Sequence, residues 1–293
     1  MIPLRVAALG DSLTEGLGDR AADGAWRGWA ALLAGGLAAP LAEAVELRNL
    51  AVSGARTPDV LHRQLPSAQH HRPQLASVVV GVNDTLRAAY DINAVARNLD
   101  ATLGALADDG ALLLTACLPD PGRMLGLPAS LARPLARRMR SVNEVVHALS
   151  ERYGAVHVHV VDCDWVHDPR MWSVDRLHPS ERGHRALARE FHALLAARGV
   201  AAGPAPGAEP TGAAPGRAAG VWWMATRGTR WVLERCTDLL PDLLRLAAAE
   251  VRQRSSDRLD REAAALTAAV LAGLGPDRRG SGVGGPGPLK AVS

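Results

Sequence analysis

The first apolar run of the chain spans 4–9, with Arg5 its one polar member, and stops at Gly10. A short continuous apolar run ended by a breaker reads as a buried strand. The same signature recurs at 45–52, where Glu46 and Arg48 interrupt it, at 75–82, at 111–118 before Pro119, and at 156–161. In the last of these, His157 and His159 alternate with Val156, Val158 and Val160. Between the runs, apolar residues return at helical spacing. Trp26, Trp29, Leu33 and Leu37 share one side, as do Ala94, Leu99, Leu103 and Leu106; 128–152 is helical with an Arg-rich outer face. A last helix is expected over 179–198, with Pro179 suited to its start. Strands that alternate with helices predict a parallel sheet covered on both faces.

Three polar or small residues fall just past strand ends: Ser12, Gly54 and Asn83. In a parallel sheet those ends share one edge, where ligands bind. Taken alone, each has a plainer reading: Ser12 as a helix N-cap, Gly54 as a turn glycine, Asn83-Asp84 as an Asx turn or cap. Acyl transfer from serine needs a base, an acid to orient it, and N–H donors for the oxyanion. Asp175-Arg176-Leu177-His178-Pro179 places a carboxylate and an imidazole in one short loop. The backbone N–H groups of Ser12 and Gly54 and the Asn83 amide are candidate oxyanion donors. Asp164-Trp165-Val166-His167 repeats the Asp-x-x-His spacing, but no helical pattern begins after it, so Asp175 and His178 are preferred.

Gly10-Asp11-Ser12-Leu13, Gly54, Gly81-Val82-Asn83-Asp84 and Asp175-Arg176-Leu177-His178 resemble, in order and spacing, the four blocks of the SGNH hydrolase (GDSL esterase/lipase) family. Pro179-Ser180-x-x-Gly183-His184 continues the last block, and the resemblance runs over residues 4–198. It implies a flavodoxin-like three-layer α/β/α sandwich with a five-stranded parallel sheet, and a cofactor-free serine esterase acting on a small-molecule ester. It also implies Ser12 as nucleophile and first oxyanion donor, Gly54 and Asn83 as the other donors, His178 as base and Asp175 as its partner. An acyltransferase, or a weakly catalytic scaffold whose tryptophan-rich tail binds a membrane or protein partner, is the alternative.

Composition narrows the setting. No apolar run reaches the roughly 18 residues of a membrane span, and Met1 leads within three residues into the first strand, leaving no room for a secretory signal. A cytoplasmic protein is expected. Cys117, Cys163 and Cys236 are odd in number, widely spaced and free of Cys-x-x-Cys, so they read as core residues in a reducing compartment. His70, His71, His157 and His159 read as surface or sheet-face residues, and no metal is expected. The net charge of +3 comes from the tail, since 1–199 holds 21 Arg and 21 acidic residues. A neutral main domain argues against nucleic acid as a partner.

The expected organisation is a hydrolase domain over 1–200, a flexible Ala/Gly/Pro-rich linker over 201–220, a helical extension over 221–274 and a disordered tail over 275–293. Trp222, Trp223 and Trp231 suit either packing against the chain's own domain or a second subunit, the preferred reading, or a membrane interface. A lid over the site is a third role for the extension.

Overall fold

The first apolar run forms β1 (Leu4–Gly10), buried from Val6 onward, in a computed structural model that describes residues 3–21, 23–37, 44–211, 241, 244–248, 252 and 256–274. β2 (Val45–Asn49), β3 (Leu75–Val79), β4 (Leu112–Cys117) and β5 (Val156–His159) complete an all-parallel sheet in the order β2-β1-β3-β4-β5. β3 is buried at every residue, as an unbroken apolar run requires. β2 lies at the edge, where Glu46 and Arg48 meet solvent and blunt the open strand.

The helices divide between the two faces. After the short α1 (Ser12–Glu15), α2 (Gly28–Leu37) packs on α6 (Glu181–Ala197), with the Trp29 and Phe191 rings stacked at 4.9 Å. On the other face, α4 (Ile92–Asp108) packs on α5 (Ala129–Arg152), completing an α/β/α sandwich. The strand order is flavodoxin-like, and its switch point lies between β1 and β3.

Four runs stop short of their expected ends, β4 by a single residue at Cys117. β2 ends at Asn49, leaving Val52 58% exposed, β3 ends at Val79, and β5 gives way to a 3-10 turn over Val160–Asp162. The segment 57–71, ending in α3 (Leu65–His71), is helical although its pattern does not announce it. Pro58, Pro66 and a wide π-type turn at Val60–Gln64 break the regular 3.6-residue spacing there.

Residues 201–211, expected to begin a flexible linker, are instead tied to α6. Arg185 and Arg189 donate to the carbonyls of Gly207 (3.0 Å) and Pro206 (2.9 Å), and Thr211 N–H donates to Glu181 (2.7 Å). Farther on, α7 (Ser256–Gly273) packs against α5 and α4. Val270 is buried there, Thr267 Oγ1 donates to Ser141 Oγ at 2.8 Å, and Asp260 pairs with Arg137 at 2.8 Å. The tryptophan-rich stretch 221–240, the linker remainder 212–220 and the tail 275–293 lie outside the described residues. Among the described residues, no helix is long and apolar enough to cross a membrane.

Candidate active site

β1 ends where a side chain imitates a neighbouring strand. The Gln64 amide accepts from Gly10 N–H at 2.8 Å and donates to its carbonyl at 2.9 Å, satisfying both backbone groups at the strand's last residue. Asp11 then caps α1, its Oδ1 accepting from Leu13 N–H at 3.1 Å, and Ser12 opens the helix. The capping role open to Ser12 is therefore taken by its neighbour. Burial pushes the Asp11 carboxyl up to about 6, against the pull of the Leu13 bond.

The loop carrying Asp175 and His178 is pinned at its base as a small hairpin. Ser173 N–H donates to the His178 carbonyl and Ser180 N–H to that of Met171, both at 2.8 Å. Inside it, Asp175 Oδ1 accepts from Ser173 Oγ (2.6 Å), Leu177 N–H (2.9 Å) and His178 N–H (3.0 Å). The chain wraps so tightly that Arg176 takes a left-handed φ of 56°, a strained conformation for a long side chain. With Oδ1 occupied, Oδ2 meets His178 Nδ1 at 2.6 Å, and His178 Nε2 meets Ser12 Oγ at 2.8 Å. Burial acts to raise the Asp175 pKa, but the bond and charge of His178 outweigh it and hold the carboxyl near 2. Asp175 is thus an acceptor only. In the neutral ring the proton sits on Nδ1, and the Nε2 lone pair faces the Ser12 hydroxyl.

Asn83 and Gly54 line the neighbouring strand ends. Asp84 accepts from Thr57 N–H (3.2 and 3.1 Å) and Thr57 Oγ1 (2.8 Å), so the loops after β2 and β3 are bound together. Gly54 has a left-handed φ of 80°. Among the described residues, neither its N–H nor that of Ser12 has an acceptor. The Asn83 amide differs from expectation, because it donates to Asp11 Oδ2 at 3.0 Å and to the Ala55 carbonyl at 3.1 Å. Both its hydrogens are engaged.

The structure therefore brings Ser12, His178 and Asp175 into one hydrogen-bonded line and sets Asn83 between Asp11 and the residue after Gly54. Asp164 and His167 form a separate 3-10 turn and bond to none of the three. Sequence reasoning missed Gln64 and the orienting role of His184. The latter accepts from Trp29 N–H on Nδ1 (3.2 Å), so its Nε2 carries the proton and donates to the Leu17 carbonyl (2.8 Å). Burial lowers its pKa and keeps the ring neutral. Only the Gly183-His184 pair in the last sequence block hinted at it.

Gly18 locks the serine loop to the histidine loop. Its φ is 100°, and a β-carbon there would run into the Pro179 carbonyl oxygen, one residue from His178. Gly18→Ala is expected to cost about 1–3 kcal/mol from the backbone conformation alone. It also lowers kcat by displacing the imidazole; urea denaturation and initial rates of ester hydrolysis measure the two effects.

A sequence profile described as the GDSL-like Lipase/Acylhydrolase family matches residues 8–186. The chain belongs to this family. The match contains Ser12, Gly54, Asn83, Asp175 and His178 and leaves α7 outside. Family membership makes the protein a carboxylic ester hydrolase. The fold is shared with the acetylxylan esterase Axe2 from Geobacillus stearothermophilus, at 20% identity and a TM-score of 0.55, over 66% of this chain and 94% of that one. It is likewise similar to LAE5, an alpha/beta hydrolase from the metagenome of Lake Arreo, Spain (21%, TM-score 0.54, 67% and 97%). A lipase/acylhydrolase from Enterococcus faecalis matches at 19% and 0.54, over 68% and 97%. A search of curated proteins gave no match.

Proposed function

We propose that this GDSL-family member cleaves its ester through an acyl-enzyme on Ser12. The observation that carries this is the line Ser12 Oγ, His178, Asp175, with contacts of 2.8 and 2.6 Å. Ser12 Oγ attacks the ester carbonyl while His178 Nε2 takes its proton, and Asp175 holds the Nδ1–H tautomer and stabilises the imidazolium. The tetrahedral oxyanion draws on the unengaged N–H groups of Ser12 and Gly54, and on Asn83 by sharing one of its hydrogens. Collapse breaks the ester C–O bond, and His178 returns the proton to the departing alcohol. Water then attacks the acyl-serine by the same route, releasing the carboxylic acid.

His178 and Asp175 line a cleft of about 2410 Å³ whose wall also includes Trp172 and Trp26. Hydrolysis of p-nitrophenyl esters from acetate to palmitate tests both the reaction and the acyl length. A fluorophosphonate should add its phosphonyl mass to the peptide carrying Ser12 and abolish turnover. Labelling elsewhere, with turnover retained, would overturn the assignment.

A further inference from the structure

Cys117 lies on β4 and His157 and His159 on β5, and the parallel pairing of these two strands places the three together. The register sets Thr115 opposite His157 and Cys117 opposite His159. Residues two apart on a strand share a face, so these four side chains occupy one patch of the sheet. α5 covers that patch, since Ser150 Oγ lies 2.6 Å from Thr115 Oγ1. One turn earlier on α5, the His147 ring lies 5.2 Å from that of His157 and 4.8 Å from that of His159, centroid to centroid, and His157 and His159 are 4.7 Å apart. The ligating atoms of Cys117, His157 and His159 all lie within 4.8 Å of one another.

We propose that this patch binds one zinc-type divalent ion through Cys117 Sγ, His157 Nε2 and a His159 ring nitrogen, with His147 or water in the fourth position. This lies outside the proposed ester chemistry and does not depend on it.

The hydrogen bonds fix which His157 nitrogen is available. Ser150 Oγ donates its one proton to the Val146 carbonyl at 2.5 Å, so Thr115 Oγ1 must donate to Ser150 Oγ. Thr115 Oγ1 can then only accept from His157 Nδ1, 2.9 Å away. The Nδ1 atom carries the proton, and the bare lone pair is on Nε2, a buried atom with no hydrogen-bond partner. A buried acceptor left unmatched is costly, and a neutral imidazole nitrogen with a bare lone pair is the commonest protein ligand for a metal ion.

The surroundings match an orienting outer shell. Thr115 holds His157 by its second nitrogen, as the outer-shell partner of a metal-bound imidazole does. Zinc–sulfur and zinc–nitrogen bonds of about 2.3 and 2.0 Å place tetrahedral ligand atoms roughly 3.3–3.6 Å apart. Closing from the present separations takes about 1 Å, within reach of side-chain rotation at Cys117 and the exposed His159. Binding releases the Cys117 thiol proton to solvent, because the thiolate is the ligand. Thiolate with imidazole selects a zinc-like ion over magnesium or calcium. Cys117, His147 and His159 line the cleft, which provides the entry path.

Cobalt(II) titrated into the metal-stripped, reduced full-length chain tests this without recourse to hydrolysis. One equivalent should bind with a thiolate-to-cobalt charge-transfer band and intense tetrahedral d–d absorption, both displaced by zinc(II). Cys117→Ser should abolish the charge-transfer band, His159→Ala should weaken binding at least tenfold, and Cys163→Ser should leave the spectrum unchanged. Thr115→Val, which keeps every ligand but frees the His157 tautomer, should weaken binding about 10–100-fold. His159 is exposed, so His159→Ala remains informative if Cys117→Ser fails to fold. Absence of a charge-transfer band at saturating cobalt, a band indifferent to Cys117→Ser and His159→Ala, or one lost instead in His178→Ala would overturn the proposal.

Discussion

Ser12→Ala is expected to lower kcat/KM for ester hydrolysis by about 10⁴–10⁶, and adding His178→Ala to it to cost almost nothing more. The reason is geometric. In the proposed mechanism Ser12 Oγ and His178 Nε2, 2.8 Å apart, serve as one nucleophile, so either deletion would remove the whole function. Residual rate would come from the N–H donors of Ser12 and Gly54, which both variants retain. The measurement is a double-mutant cycle on one short and one long ester, with circular dichroism confirming the fold. Additive losses would mean the two residues act separately. A Ser12→Ala protein that keeps more than about a tenth of the rate would remove Ser12 from the reaction altogether.

Asp175→Asn is expected to reduce kcat by about 10²–10⁴ with little change in KM. Asparagine offers an N–H where His178 Nδ1 now donates, which favours the ring tautomer with its proton on Nε2, facing Ser12 the wrong way. The same substitution carries a pH signature in stability. The folded-state pKa of Asp175 lies near 2, below the ordinary 3.8. At about 1.4 kcal/mol per pH unit, the carboxylate therefore contributes on the order of 2 kcal/mol above pH 3.8, lost as pH falls through about 2. Urea denaturation of wild type and Asp175→Asn should show a gap near neutral pH that narrows toward pH 2. A gap independent of pH would show that the carboxylate's charge is not what holds the loop.

The C-terminal region illustrates a limit of composition as a guide. Ala, Gly and Pro over 201–211 suggest free chain, yet backbone carbonyls there have specific acceptor roles for Arg185 and Arg189 on α6. Low-complexity composition reports the absence of a hydrophobic driving force. It is blind to an arginine elsewhere that captures the backbone. α7, by contrast, docks through Val270 and Thr267 on a face where most of its other side chains are exposed, too sparse a stripe to assign a partner from spacing.

Much of the fold and site was legible because it is local. Apolar runs mark what must leave water, and Gly10 or Pro119 mark where a strand must stop, so the positions of Ser12 and Asn83 just past strand ends follow from short-range sterics. The contact between Asp175 and His178 spans three residues and is local in the same sense. Which strand lies beside which is not local. The order β2-β1-β3-β4-β5 brings Ser12 to a histidine 166 residues away, sets Gln64 against Gly10, and turns both Asn83 hydrogens inward. It also aligns Cys117 with His159, so that residues read separately as core and sheet face share one patch under α5. Sequence determined the elements, the serine past the first strand's end and the Asp175–His178 contact within one loop. Register and helix docking decided the polar contacts around them, because a side chain's period tells which face it occupies but not which neighbour the packed sheet will set opposite.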